Sequence, residues 1–151
     1  MTALETLVET LTEHVVKIFE ENGELVPMWL LETDDGKLIA VMTPILDPGD
    51  KDQVVFAIRV LLKKYKAVRY AVGIETWFAN ESPETFKNAP MPSERADRKE
   101  GIVISAEDHN GETYGVLREI DRSNGTITLK PAEQFSANFG RFVGLLKEYN
   151  Q

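Results

Sequence analysis

With 151 residues, 42% of them apolar and 28% charged, the chain has the length and composition of one globular domain rather than of a disordered segment. It has no cysteine, which excludes disulfide frameworks, thiol nucleophiles and thiolate metal sites. A net charge of −8 disfavours general nucleic-acid binding, because an acidic surface repels phosphates.

The first predicted element is an amphipathic helix over Thr2–Asn22. Leu4, Leu7, Val8, Leu11, Val15, Ile18 and Phe19 recur at helical spacing, Thr2 and Glu5 have the spacing of a capping box, and Asn22-Gly23 is a stop. Two strands are expected at Leu25–Thr33 and Leu38–Thr43, joined through the turn residues Asp34-Asp35-Gly36. Both are nearly continuous in apolar residues, which suits a sheet covered on two faces or a buried strand beside a polar-backed neighbour. A second helix is expected over Asp50–Lys66, with Val54, Ile58, Leu61, Leu62 and Tyr65 as its apolar stripe.

A strand follows at Val68–Trp77, with Val68, Tyr70, Val72, Ile74 and Thr76 on one face and Arg69, Ala71, Gly73, Glu75 and Trp77 on the other. Gly73 in mid-strand suggests a bulge or the close approach of another backbone. Phe78–Lys99 has three prolines and no periodicity, so it is read as a long loop of the kind that carries function. Strands are then expected at Gly101–Glu107, Thr113–Ile120 and Thr126–Lys130, with Asn-Gly turns between them. Phe135, Phe139, Phe142, Val143 and Leu146 predict a C-terminal helix.

The expected fold is a single α+β domain over residues 1–151. It has a mainly antiparallel sheet of five to six strands and three helices, in the order α-β-β-α-β-loop-β-β-β-α. This order is similar to that of roadblock-type and profilin-like domains, an analogy that implies no function. No apolar run approaches the ~20 residues that span a bilayer, and Met1–Glu5 does not begin a secretory leader. A cytoplasmic location without membrane attachment is therefore expected.

Chemistry-bearing residues are few. His14 and His109 have no second histidine at a ligand spacing, and His109 sits at a turn. Glu75, Glu100, Glu107 and Asp108 lie on or beside strands that can be neighbours, where oxygen ligands hold Mg²⁺ or Mn²⁺ for hydrolysis. A solvated sheet face accounts for the same residues. Asp35-Gly36-Lys37 imitates half of a nuclease site, but the turn itself needs Gly36. Ser93 and Ser105 lack a base in sequence, no phosphate-cradling glycine loop occurs, and no cofactor is expected. Lys63, Lys64 and Lys66 with Arg69 are the best candidate for a local basic patch, and otherwise are cations suited to the solvated end of a helix. Trp29 and Trp77 are both of a type expected in the core or packed on the sheet.

The densest constellation is Pro92-Ser93-Glu94-Arg95-Ala96-Asp97-Arg98-Lys99-Glu100, following Glu75-Thr76-Trp77. Arg95 and Arg98 are three residues apart and suited to gripping a carboxylate or phosphate. Alternatively Arg98 clamps the loop to Glu75 or Glu100. These residues resemble a family of small proteins of bacterial and phage genomes, in which a Glu-x-Trp strand end precedes Pro-Ser-Glu-x-x-Asp-Arg-x-Glu and another strand. The resemblance spans the middle third of the chain and implies no activity. Three expectations stand together. The first is a binding module that holds a protein or small anionic ligand through Trp77, Glu94, Arg95, Asp97 and Arg98. The second is a metal-dependent hydrolase built on the four carboxylates. The third is an assembly protein acting through the C-terminal helix. Homodimerisation through that helix or an open sheet edge is part of the expectation.

Overall fold

The structure, a computed structural model, describes residues 1–43, 50–78, 99–122, 127–135 and 145–146. Helix α1 (Ala3–Asn22) begins where the Thr2 hydroxyl accepts from the Glu5 N–H at 3.1 Å. It ends where Gly23, at φ +74°, donates its N–H to the Phe19 carbonyl. Strands β1 (Met28–Thr33) and β2 (Leu38–Met42) form a hairpin. Helix α2 (Asp50–Lys64) carries Asp50 and Asp52 in its first turn and Lys63 and Lys64 in its last, the charge order that suits a helix dipole.

Strand β3 (Ala67–Phe78) pairs with β1 on one side and with β4 (Lys99–Asp108) on the other. Strand β5 (Thr113–Asp121) follows beside β4. Short strands β6 (Thr128–Leu129) and β7 (Glu133–Phe135) both lie against β5, with Pro131, which has no N–H to donate, between them. The sheet order is β2-β1-β3-β4-β5-β6, with β7 also on β5, and each described pairing is antiparallel. Since β2 and β3 both run against β1, they run parallel to one another, and α2 supplies the crossover between them.

The fold is α+β, and the sheet is covered on both faces. On one face Leu7, Leu11, Val15 and Phe19 of α1 pack against Leu30, Ala71, Ile102 and Ile104. On the other, Val54, Ile58 and Leu62 of α2 pack against Trp29, Leu31, Tyr70 and Val72, joined by Leu145 and Leu146. Full burial of a side chain such as Ile58 or Leu62 stabilises by about 1.5–3 kcal/mol. Adjacent residues of β1 and β3 therefore belong to opposite cores, which is why β1 reads as a nearly continuous apolar run. The same expectation fails at β2, where Leu38, Ala40 and Met42 are exposed. The sequence division of β3 into two faces matches these cores: Tyr70, Val72 and Ile74 face α2, while Ala71 lies in the α1 core. Trp29 is fully buried and donates from Nε1 to the Thr43 hydroxyl at 2.8 Å.

Several expectations are corrected. No bulge occurs at Gly73, because the register runs unbroken through Val72↔Ser105 and Gly73↔Ile104. What approaches Gly73 is a helix side chain rather than a backbone: a Cβ there would lie 2.8 Å from Val15 Cγ2. Strand β1 starts at Met28, not Leu25, since Pro27 has no N–H and the Leu25 N–H is turned to Glu75. Helix α2 ends at Lys64, and Lys66 takes a left-handed φ of 51°. Phe135 belongs to β7, not to a helix, because Glu133–Phe135 pairs with the outer edge of β5. Of the expected third helix, 136–144 and 147–151, with Phe139 and Phe142, lie outside the described residues, and the described residues include two helices where three were expected. Only Leu145 and Leu146 of that segment are described, and both are buried.

Candidate functional site

The strands β3 and β4 are the longest of the described sheet, and their pairing runs from Arg69↔Asp108 to Phe78↔Lys99. Residues 79–98 therefore leave and re-enter the sheet at one paired position. Glu94, Arg95, Asp97 and Arg98, with Ser93, lie outside the described residues. Trp77 is placed by its main chain alone, opposite Glu100 in the register.

Both faces of this hairpin base are tied to β5 or to Arg122, the residue that follows it. On the face of α2, Glu119 lies between Lys99, 3.4 Å away, and Lys130, with which it forms an ion pair. Lys130 chiefly, and Lys99 with it, hold the Glu119 carboxyl below the ordinary carboxylate range. On the face of α1, Glu100 pairs with Arg122, whose guanidinium lies 6.0 Å from the Phe19 ring centroid. Glu75 sits on that same face, and its carboxylate accepts from the Leu25 N–H. Burial pushes the Glu75 carboxyl above its ordinary value; the Leu25 N–H and the Arg122 charge oppose this, and Glu100 and Glu24 add to it. Exposed ion pairs of this kind are each worth only about 0–1 kcal/mol, so their role is to fix the geometry of the base rather than to supply stability.

The four carboxylates read as metal ligands do not come together. Glu75 and Glu100 share the α1 face at one end of the sheet. Glu107 lies at the other end, 4% exposed, and its Oε1 accepts from the Leu146 N–H at 3.0 Å on the α2 side. Asp108 ends β4, where its Oδ1 accepts from the N–H groups of Asn110 and Glu112 at 2.9 and 3.0 Å and shapes the β4–β5 turn. Among the described residues no three His, Asp or Glu side chains are grouped to hold a metal ion.

His109 belongs to the same turn and donates its N–H to the Val68 carbonyl at 2.9 Å. His14 is exposed on α1. Arg69 is paired with Glu32 and is largely buried, so it is not part of an open basic patch with Lys63, Lys64 and Lys66. Asp35 caps its own turn by accepting from the Thr33 hydroxyl.

Two features were missed by reading the sequence. Arg122 precedes Ser123-Asn124-Gly125 and reads as the flank of a turn, yet it is the described partner of Glu100, a place the sequence reading gave to Arg98. A groove of about 670 Å³ lies between α1 and β5, with Glu5, Glu9 and Glu13 on one wall and Tyr114, Val116 and Arg118 opposite. The spacing of the three glutamates was the available signal for one acidic wall.

Comparison with protein-family models, curated proteins and solved structures finds no match to the chain.

Proposed function

We propose that the chain is a binding module that presents residues 79–98 to a protein or a small anionic ligand. One observation supports this above the others: the segment is closed at its root by Phe78↔Lys99 and lies on a stem tied on both faces, to β5 or to Arg122 after it. A long segment held at one paired position has little freedom at its ends, which lowers the entropy cost of ordering it against a partner. Arg95 and Arg98 are the contacts of choice, because a guanidinium grips a carboxylate or phosphate through two hydrogen bonds. Trp77, Glu94 and Asp97 complete the contact set.

The hydrolase reading finds less support, since Glu107 and Asp108 are engaged at the far end of the sheet. The assembly reading is weakened at two positions, because Leu145 and Leu146 are buried against the α2 core. Immobilised wild-type chain and an Arg95→Ala/Arg98→Ala variant, exposed to the same extract, test the proposal by quantitative mass spectrometry. The expected result is a protein or anionic ligand enriched on the wild type and reduced at least tenfold on the variant, a loss of about 1.4 kcal/mol. Identical retained sets on the two chains would overturn it.

A further inference from the structure

We propose that β2 is a dimerisation edge, at which two copies of this chain pair antiparallel about a two-fold axis through Ala40. Strand β2 ends the described sheet order, and its described pairing is with β1 alone. Which of its residues turn outward follows from the ladder. The Thr43 N–H donates to the Pro27 carbonyl at 3.0 Å, and the Thr33 N–H donates to the Lys37 carbonyl at 2.9 Å. In an antiparallel pair the bonded positions alternate, so Lys37, Ile39, Val41 and Thr43 turn their main-chain groups to β1. Leu38, Ala40 and Met42 turn theirs to the open edge.

The side chains of those three residues are also uncovered. Ala40 stands opposite Leu30, which belongs to the α1 core, so Leu38, Ala40 and Met42 lie on the α1 face. Leu38 and Met42 are each 49% exposed there. An edge that shows apolar side chains beside donors and acceptors with no partner among the described residues is a template for another strand. Natural monomers blunt such edges with a proline, an inward charge or a bulge, and Leu38–Met42 contains none of these.

A second copy is the occupant that this edge fits. About Ala40, Leu38 lies opposite the partner's Met42, Ile39 opposite the partner's Val41, and Ala40 opposite the partner's Ala40. All three outward-turned residues then fall in bonded pairs, each exchanging two hydrogen bonds. Moving the axis by one residue loses a pair: Met42 then meets the turn glycine Gly36, or Leu38 meets Pro44, which has no N–H. Charge also fits. Each copy carries −8, yet no ionisable side chain lies within Leu38–Met42, and Lys37 falls opposite the partner's uncharged Thr43. The contact is short, at about 3.4 Å per residue over five residues. Its area lies at or below the ~1,200 Å² lower bound of standard interfaces, which defines a weak, reversible dimer.

Sedimentation equilibrium over the micromolar range, on the wild type and on Ala40→Pro and Ala40→Lys, tests this. Proline at 40 removes an N–H that points away from β1 and so spares the fold, while lysine sets two ammonium groups across the axis. The wild type is expected to rise from 17.0 kDa toward twice that mass with concentration, and both variants to stay at 17.0 kDa. Should Ala40→Pro lose its native circular dichroism, Ala40→Lys decides. A wild type that stays monomeric at the highest concentration overturns the proposal and leaves the edge to a strand of another protein. A dimer that persists in the folded variants overturns it as well. Because the chain has no cysteine, Ala40→Cys adds a register test. Bonded antiparallel pairs hold Cα atoms ~5.5 Å apart, within the span of a disulfide. Oxidation is expected to give a covalent dimer faster than for Thr10→Cys on α1, and equal rates would contradict the register.

Discussion

Glu75 shows how one residue carries both a structural bond and a destabilising charge. Its carboxylate anchors the Leu25 N–H at the start of the chain's entry into β1, yet burial pushes its pKa above the ordinary 4.5. The folded chain therefore holds this proton to higher pH than the unfolded chain does. Across the window that opens at 4.5 and closes at the raised value, the fold binds more protons, and stability falls as pH rises. Glu75→Gln keeps an oxygen for Leu25 and never ionises. It is expected to raise Tm at neutral pH, with the gain vanishing below the window, where both chains are neutral. Melting curves at a series of pH values check this; a variant less stable than wild type at neutral pH would show that attraction to Arg122 outweighs burial. The sequence reading offered Glu75 to a metal ion or to Arg98. That its partner is a backbone N–H fifty residues earlier in the chain was not legible, because pairing in space leaves no local pattern.

At the scale of elements, local chemistry was a good guide wherever it acted through neighbours in the chain. The Thr2 cap, the Gly23 stop and the hairpin at Gly36, with φ +85°, stand where turn and cap preferences put them. The expectations that failed were decided by distant contacts. Phe135 fits a helical stripe with Phe139 and Phe142, but Glu133–Phe135 is claimed by the open edge of β5. Glu107 read as one of several solvated or metal-binding carboxylates, whereas it holds the Leu146 N–H across the β4 face. Removing that acceptor strands a buried donor. Glu107→Ala is therefore expected to lower unfolding free energy by about 1–3 kcal/mol, and Glu107→Gln, which keeps the oxygen, by less. Urea unfolding of the two variants decides it; equal losses would show that the charge, not the hydrogen bond to Leu146, is what the site uses.

For the molecule as a whole, the two-faced sheet was foreshadowed by β1, whose apolar run is too continuous for a strand with one wet side; β2 read the same way, yet its Leu38, Ala40 and Met42 face is exposed. Which carboxylates converge was not legible, because the register of β3 against β4 puts Glu75 and Glu107 at opposite ends and on opposite faces. On the proposed function, the sheet is a self-sufficient stem and residues 79–98 are what it presents. Phe78 and Lys99 are paired neighbours in an antiparallel ladder, so a two-residue Asn-Gly turn can join them with the flanking strand register kept. The most direct measurement is the partner or ligand retained by a chain in which Asn-Gly replaces 79–98, once its unfolding curve is known. The expected chain melts as the wild type does and retains nothing the wild type selects. A short-turn chain that captures the same set, or one that no longer folds because the segment clamps the sheet, would contradict the proposed function.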